Sequence, residues 1–316
     1  MNILILDDYQ EGIPSLPSME KLKGHQVTVF TRPISQEPQA AEVLAEAEGL
    51  VLLRERSRVD EALLARMPNL RHIAQTGKAG KHLDLEACRE RGITVSEGVG
   101  TAYAAAELAF LLVMSALRRL PQEIAGLKAG KFGIRFGRTL QGRTLGIIGF
   151  GKAGSWLAKF ACAFDMRIVV HGTEGSMQRA VAAGYSAEPD RVKFFSGCDA
   201  ISVQLRLTAE TRDYVQEKDL LLMKTDAVLV NTARAELVEQ AGLARALAKG
   251  FPGQYAADVF MQEPPTTGSD PVLGMPQVIA TPHIGYLDVD SFEIMMASAL
   301  DNLLAFAAGH PRNLKV

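Results

Sequence analysis

Three polar side chains stand in the second half of this sequence where apolar or turn residues would be expected. Arg234 follows the run Val228-Leu229-Val230-Asn231-Thr232-Ala233, Glu263 precedes two prolines, and His283 sits in Thr281-Pro282-His283-Ile284-Gly285. Each supplies one service needed for adding hydride to a 2-oxo acid. A guanidinium grips a carboxylate through two parallel hydrogen bonds. An imidazole titrates near neutrality and can protonate a forming alkoxide. A carboxylate can orient that imidazole and favour its protonated form. Singly, each is an ordinary surface or loop residue; what binds them together is the motif upstream.

That motif is Gly149-Phe150-Gly151-Lys152-Ala153-Gly154, a G-x-G-x-x-G loop that follows an apolar strand and opens a helix. Gly149 permits the tight turn, Gly151 lets a pyrophosphate approach the backbone, and Gly154 lets the helix pack closely. The free N–H groups at the helix start favour phosphate. The loop therefore implies a nicotinamide dinucleotide, NAD or NADP. An acid that bonds the adenosine ribose is expected about 20 residues further on. The strand end there reads His171-Gly172-Thr173-Glu174-Gly175-Ser176, with Gly172 at the expected position. Glu174 reaching the ribose would favour NAD; Thr173, Ser176 and Arg179 accommodating a 2′-phosphate would favour NADP. Both readings stay open.

Short apolar runs alternate with helical patterns through most of the chain. That pattern predicts an α/β protein with two doubly wound parallel sheets. The first unit has runs at Ile3–Leu6, Val27–Phe30, Leu50–Leu53, His72–Gln75 and Thr94–Val95. A long, nearly all-apolar helix is expected over Ala102–Leu120, followed by an irregular stretch over Gly126–Gly142. The second unit begins at Thr144, with further strands at Arg167–Val170, Ala200–Gln204, Ala227–Asn231, Gln254–Asp258 and Val278–Thr281. Helices are expected at Ser155–Phe164 and Ser291–Ala308. Arg234, Glu263 and His283 all fall at or after carboxyl ends of strands, where such sheets bind ligands.

Composition narrows the partners. A formal net charge of -2 and 22% charged residues leave no basic footprint for nucleic acid or an anionic membrane. The longest apolar stretch, near Leu108–Leu117, is too short to span a bilayer, and the N-terminus lacks a secretory pattern. A cytoplasmic protein is expected. Cys88, Cys162 and Cys198 show no metal or redox spacing and are expected to be buried and reduced; no metal site is expected.

Taken together, Leu145–Gly154, Asn231-Thr232-Ala233-Arg234, Asp258–Pro265 and Thr281–Gly285 resemble the D-isomer-specific 2-hydroxyacid dehydrogenases, which include phosphoglycerate dehydrogenase and glyoxylate/hydroxypyruvate reductase. The likeness extends to Gln75-Thr76-Gly77, Leu83-Asp84-Leu85 and Ala106-Glu107-Leu108. It implies a Rossmann cofactor domain over 99–286, inserted in a flavodoxin-like substrate domain made of 1–98 and 287–316. Substrate would lie between the two. By the resemblance Arg234 binds carboxylate and carbonyl, His283 is the acid/base and Glu263 its partner. Asp258 would contact the nicotinamide carboxamide, and the backbone of Lys152 and Ala153 the pyrophosphate. Family members are usually homodimers joined through the helix here at Ala102–Leu120.

Departures from the family pattern bear on the substrate pocket. Gly77-Lys78-Ala79-Gly80 stands where the family has a Gly-Val-Gly-type turn, whose N–H groups hold the substrate carboxylate. Lys78 would add a cation facing a second carboxylate or a phosphate, or point to solvent. Tyr286 replaces a small polar residue after His-Ile-Gly and would line the pocket or an interface, and Arg54 would be a further pocket cation or a surface residue paired with a nearby acid. The small 2-oxo or 2-hydroxy acid is therefore unspecified, with phosphoglycerate chemistry as one option. A different class of function, a dinucleotide-sensing interaction protein like the animal corepressor of this fold, is the competing expectation.

Overall fold

The structure, a computed structural model, describes residues 1–133 and 135–316. The chain forms two compact units, one made of Met1–Thr101 with Asp288–Val316 and the other of Ala102–Leu287.

Unit 1 contains β1 (Asn2–Ile5), β2 (Gln26–Val29), α1 (Ala40–Glu46), β3 (Gly49–Leu52), α2 (Glu61–Leu64), β4 (His72–Gln75), α3 (Leu85–Glu90) and β5 (Thr94–Glu97). Its five strands are all parallel, in the order β2-β1-β3-β4-β5. The inner strands are apolar without alternation because both faces are covered. Leu44, Leu64 and Cys88 bury one face together with Leu4, Leu50 and Ile73. The C-terminal helix, Val289–Ala307, returns to the other face, where a Cβ on Gly49 would lie 2.8 Å from Leu303. Aspartates start three of these helices, Asp60, Asp84 and Asp288 each accepting a backbone N–H from three residues on.

Unit 2 contains α4 (Tyr103–Leu117), α5 (Leu120–Lys128), β6 (Thr144–Ile148), α6 (Lys152–Cys162), β7 (Arg167–His171), α7 (Glu174–Ala182), β8 (Ser186–Ala187), α8 (Arg191–Gly197), β9 (Ala200–Val203), α9 (Glu217–Leu220), β10 (Val228–Asn231), α10 (Gln240–Ala248), β11 (Gln254–Ala257) and β12 (Val278–Ala280). The seven parallel strands run β12-β11-β10-β9-β6-β7-β8, so the order reverses between β6 and β9. Strand β10 shows how the layers form. Val228 and Val230 pack with Leu112, Val113 and Ala116 of α4, while Leu229 faces Phe194, Leu243 and Leu247 on the opposite side.

Four expectations need correction. The long helix ends at Leu117, not Leu120, because Arg119 adopts a left-handed φ of 55°. Pro121 then occupies the first turn of α5, where its missing N–H costs nothing. Part of the stretch expected to be irregular is thus helical; Ile134, within that stretch, lies outside the described residues. Helix α6 starts at Lys152 rather than Ser155, which brings the end of the glycine loop into its first turn. Cys88 and Cys198 are buried thiols, whereas Cys162, near the end of α6, is exposed. Among the described residues no helix is long and apolar enough to cross a membrane.

Candidate active site

The glycine loop lies at the carboxyl end of β6, beside the point where the strand order reverses. Gly149 has φ 89°, and a Cβ there would meet Leu205 at 2.8 Å and the carbonyl of Gln204 at 2.9 Å. A Cβ on Gly154 would come within 2.7 Å of the Gly149 carbonyl, so only glycine lets α6 approach its own loop. Gly151 differs: a Cβ there meets nothing within 4 Å. The approach to the exposed N–H groups at Gly151 and Lys152 is open. A pyrophosphate fits this cradle of small residues and helix-start donors.

At the end of β7 the missing acid has a geometric reason. Gly172 has φ 147°, a backbone region that side chains rarely enter, and its Cα side lies against Gly149, where a Cβ would be 3.4 Å from the backbone nitrogen. The next residue, Thr173, caps α7 by accepting the Ser176 N–H at 3.3 Å. Arg179 donates through Nε to the Phe150 carbonyl at 3.1 Å and through Nη2 to Ser176 Oγ at 3.2 Å. A guanidinium is thereby fastened to the glycine loop. Glu174 is exposed, and its carboxylate accepts from Gln178 at 3.0 Å.

Beyond β10, β11 and β12 the structure brings the three polar residues to one end of the unit. Arg234 starts the turn after β10, and Asn231 ties that turn down. Its Nδ2 donates to the Arg234 carbonyl at 2.8 Å, and its Oδ1 accepts from the Ala233 N–H at 3.1 Å. His283 Nδ1 is 2.7 Å from Glu263 Oε2. Burial opposes ionisation of Glu263, yet its bond and charge partner His283, the Phe260 N–H and the charge of Arg234 hold it below the usual carboxylate range. With Nδ1 engaged by Glu263, His283 keeps Nε2 for another partner. The Tyr286 ring lies edge-on to the imidazole, with centroids 5.5 Å apart.

The backbone of His283 is unusual in having φ 54°. Asp258, at the end of β11, holds the loop in that shape. Its Oδ1 accepts from Thr281 Oγ1 at 2.6 Å and the Ile284 N–H at 2.8 Å, and Oδ2 accepts from the Gly285 N–H at 2.8 Å. Burial raises the Asp258 carboxyl despite those three bonds. A Cβ on Gly285 would lie 3.0 Å from Asp258 Oδ2, a tight approach that a larger residue could make only by shifting that carboxylate. The sequence points to Asp258 only as a cofactor contact; its positioning role comes from the geometry of the loop. The signal was present, since Thr281 and Asp258 end paired neighbouring strands, with Ala257 opposite Ala280.

Residues expected to line the substrate pocket from unit 1 lie at the carboxyl ends of β3 and β4. Arg54 has φ 58°; its N–H donates to Thr76 Oγ1 at 2.9 Å and its carbonyl accepts from Gln75 at 2.7 Å. Its guanidinium passes 3.9 Å from where a Cβ on Gly77 would stand. Two donors of the following turn are engaged by Glu97: Lys78 Nζ at 2.6 Å and the Ala79 N–H at 3.0 Å. Lys78 is thus an ion-pair partner of the adjoining strand.

With this geometry in place, comparison with known proteins is decisive. The family model for the D-isomer specific 2-hydroxyacid dehydrogenase, NAD binding domain, matches residues 110–285. The chain belongs to this family. It is 34% identical over 286 residues to a glyoxylate reductase of Thermococcus litoralis, spanning 86% of this chain and 85% of that one. The solved structure of a phosphoglycerate oxidoreductase from Vibrio cholerae O395 is similar at TM-score 0.90 and 44% identity, covering 98% of this chain and 99% of the other. A D-lactate dehydrogenase from Aquifex aeolicus, solved with NAD and lactic acid, is similar at TM-score 0.77 and 26% identity, covering 98% and 96%. This 2-hydroxyacid dehydrogenase is accordingly a nicotinamide-linked oxidoreductase, and the interaction-protein expectation has nothing in its favour.

Proposed function

We propose that this chain reversibly reduces a small 2-oxo acid to the D-2-hydroxy acid, using the residues at the carboxyl ends of β6, β10, β11 and β12. The observation that carries this reading is the 2.7 Å pair of His283 with Glu263, in the same unit as Arg234 and the glycine loop. The cofactor would be held by Gly149, Gly151 and Gly154, by the N–H groups of Lys152 and Ala153, and by Asp258. That aspartate already accepts three donors and has one acceptor site left for a carboxamide N–H. When bound, the nicotinamide supplies and takes back the hydride.

Arg234 holds the substrate carboxylate and polarises the carbonyl. His283 Nε2 delivers a proton to the carbonyl oxygen during reduction and removes it during oxidation. Glu263 accepts the Nδ1–H hydrogen bond throughout, which fixes the ring and stabilises the imidazolium. Arg54 adds a cation beside the turn at Gly77. Lys78 and Ala79 act through Glu97 in shaping that turn, and Tyr286 borders the imidazole. Residues 99–286 form the cofactor domain, and 1–98 with 287–316 the substrate domain.

The cofactor reading is NADP(H) in preference to NAD(H). Gly172 offers no ribose acid, and the Arg179 guanidinium sits on the loop beside Thr173 and Ser176, suited to a 2′-phosphate. Glu174 opposes that phosphate only weakly, because it is exposed and bonded to Gln178. A second copy of the chain covers the apolar surface of unit 2, making a cytoplasmic homodimer. Steady-state reduction of glyoxylate, hydroxypyruvate and pyruvate with NADPH and NADH tests the whole reading. Turnover should fall at least ~100-fold in His283→Ala, and Arg179→Ala should narrow the gap between the two cofactors. Absence of turnover with either cofactor, or an unaffected His283→Ala, would sink it.

A further inference from the structure

Unit 2 carries a cavity that none of the roles above uses. It measures about 610 Å³ and lies at the amino ends of β10, β11 and β12, where the end of α4 and the start of α5 meet the turns ahead of those strands. Arg234, Glu263 and His283 follow the carboxyl ends of the same three strands, at the opposite edge of the sheet.

The charge around the cavity is one-sided. Arg119, Arg135 and Arg138 line it, against the single carboxylate of Asp226. Arg138 pairs with Asp226, which offsets one of the three cations. Among the described residues no carboxylate pairs with the guanidinium of Arg119 or of Arg135. Arg119 is half-buried and holds its left-handed φ of 55° in the break between α4 and α5. The Arg135 N–H donates to Glu123 Oε1 at 3.0 Å, which ties its segment back to α5. Two like charges facing one cavity are stabilised by an anion that both can reach.

The lining is also short of donors. Gln254, at 5% exposed, donates through Nε2 to the Ala116 carbonyl at 2.7 Å. Gln122 donates through Nε2 to the Pro276 carbonyl at 3.4 Å. Those bonds set the orientation of both amides, and each Oε1 is left buried without a partner. A buried amide oxygen with no donor is unfavourable. The cavity therefore suits a molecule that brings negative charge for the guanidiniums and hydrogen-bond donors for the amides.

We propose that this cavity is a second ligand site, for a phosphate monoester whose skeleton carries hydroxyl or amino donors. Near neutral pH such a phosphate carries almost two negative charges, matching the two guanidiniums that Asp226 leaves uncompensated. A carboxylate monoanion would neutralise one of them, and inorganic phosphate would leave both amide oxygens bare. The site is separate from the glycine loop, which lies at the carboxyl end of β6, and it does not depend on which acid the enzyme reduces.

Titration calorimetry on the full chain tests this, with glycerol 3-phosphate, adenosine monophosphate and inorganic phosphate as probes. An excess of NADH, which has no phosphate monoester, keeps the glycine loop filled. One glycerol 3-phosphate or one adenosine monophosphate should bind per chain, and inorganic phosphate about ten-fold more weakly or worse. Tighter binding of either organic phosphate supports the site and tells hydroxyl from amino donors. Asparagine tolerates a left-handed backbone, so Arg119→Asn should fold and should weaken all three probes by about ten-fold or more. Gln122→Leu should weaken the two organic phosphates and leave inorganic phosphate unmoved; Arg119→Asn keeps the test decisive if that variant folds poorly. The proposal is overturned if no probe binds saturably at millimolar concentration, as when a second copy of the chain covers the cavity. Binding that ignores Arg119→Asn, or inorganic phosphate binding as tightly as the organic phosphates, overturns it equally.

Discussion

The pairing of His283 with Glu263 makes one acid titration visible in the kinetics. Glu263 is held below the ordinary carboxylate range, so its anion persists to lower pH than a free glutamate would. Its support for the imidazolium is present above that depressed value and is lost as pH falls through it. The acid limb of the reduction rate should therefore lie below pH ~4.5, the ordinary value for glutamate. Replacing Glu263 by Gln should remove that limb and lower kcat by about ten- to 100-fold. A kcat–pH profile that keeps its acid limb in Glu263→Gln would show that the limb belongs to another group. The three polar side chains could be read from the sequence because arginine, glutamate and histidine at strand ends are chemically conspicuous. The role of Asp258 was harder to see, since its partners are mostly backbone N–H groups of a loop whose shape no residue type announces. The engagement of Lys78 and Ala79 with Glu97 was hidden for a similar reason. Strands β4 and β5 are neighbours only in the sheet, so nothing in the local sequence joins Glu97 to the turn after β4.

At the level of elements, strand runs were legible because parallel strands buried on both faces are continuously apolar. Helix limits were less so. Nothing local distinguishes Arg118 from Arg119, and the break between α4 and α5 depends on one left-handed residue. One element junction carries a titration of its own. His72 of β4 is fully buried, accepts or donates hydrogen bonds with Thr94 Oγ1 at 2.8 Å and Ser96 Oγ at 2.9 Å, and stacks on Phe306 of the C-terminal helix at 4.6 Å. Burial pushes its pKa down to about 4. An unfolded histidine titrates near 6.5, so between these values the unfolded chain binds a proton that the folded chain refuses. Stability is thus lost as pH falls through that window, by an amount on the order of 3 kcal/mol. Urea midpoints at pH 7.5 and pH 5 should differ more for the wild type than for His72→Gln. Equal differences would mean that the strand–helix joint around Phe306 does not resist protonation.

For the whole molecule, the apolar surface of unit 2 is the feature that composition alone could not locate. Phe132 and Phe136 are fully exposed, and Leu127, Ile124 and Leu120 of α5 lie in the same stretch of chain. Tyr103 and Leu111 on α4, Trp156 on α6 and Phe164 just after α6 expose further aromatic and aliphatic area. Monomeric proteins rarely leave such area uncovered, and a symmetric pair would bury it. A cavity of about 610 Å³ lined by Leu117, Phe136 and Gln254 adjoins this surface at the amino ends of β10–β12, the edge of the sheet away from Arg234 and His283. Light scattering coupled to size exclusion should give twice the chain mass for the wild type. The double substitution Phe132→Asp with Phe136→Asp should shift it toward one chain mass, and a wild type that runs as a single chain removes the dimer from the picture.

The path of the chain through unit 1 also decides when that unit can exist. Strands β1–β5 are made first, but the helix that covers their second face and the tail that closes their edge are made last. Val95 donates to the Val316 carbonyl at 3.0 Å, and Asn302 donates to the Glu97 carbonyl at 3.1 Å. During synthesis the amino-terminal sheet therefore emerges from the ribosome with one apolar face bare, and it waits while unit 2, contiguous in sequence, completes its own core. The unit whose strands are translated first is the unit whose core is completed second.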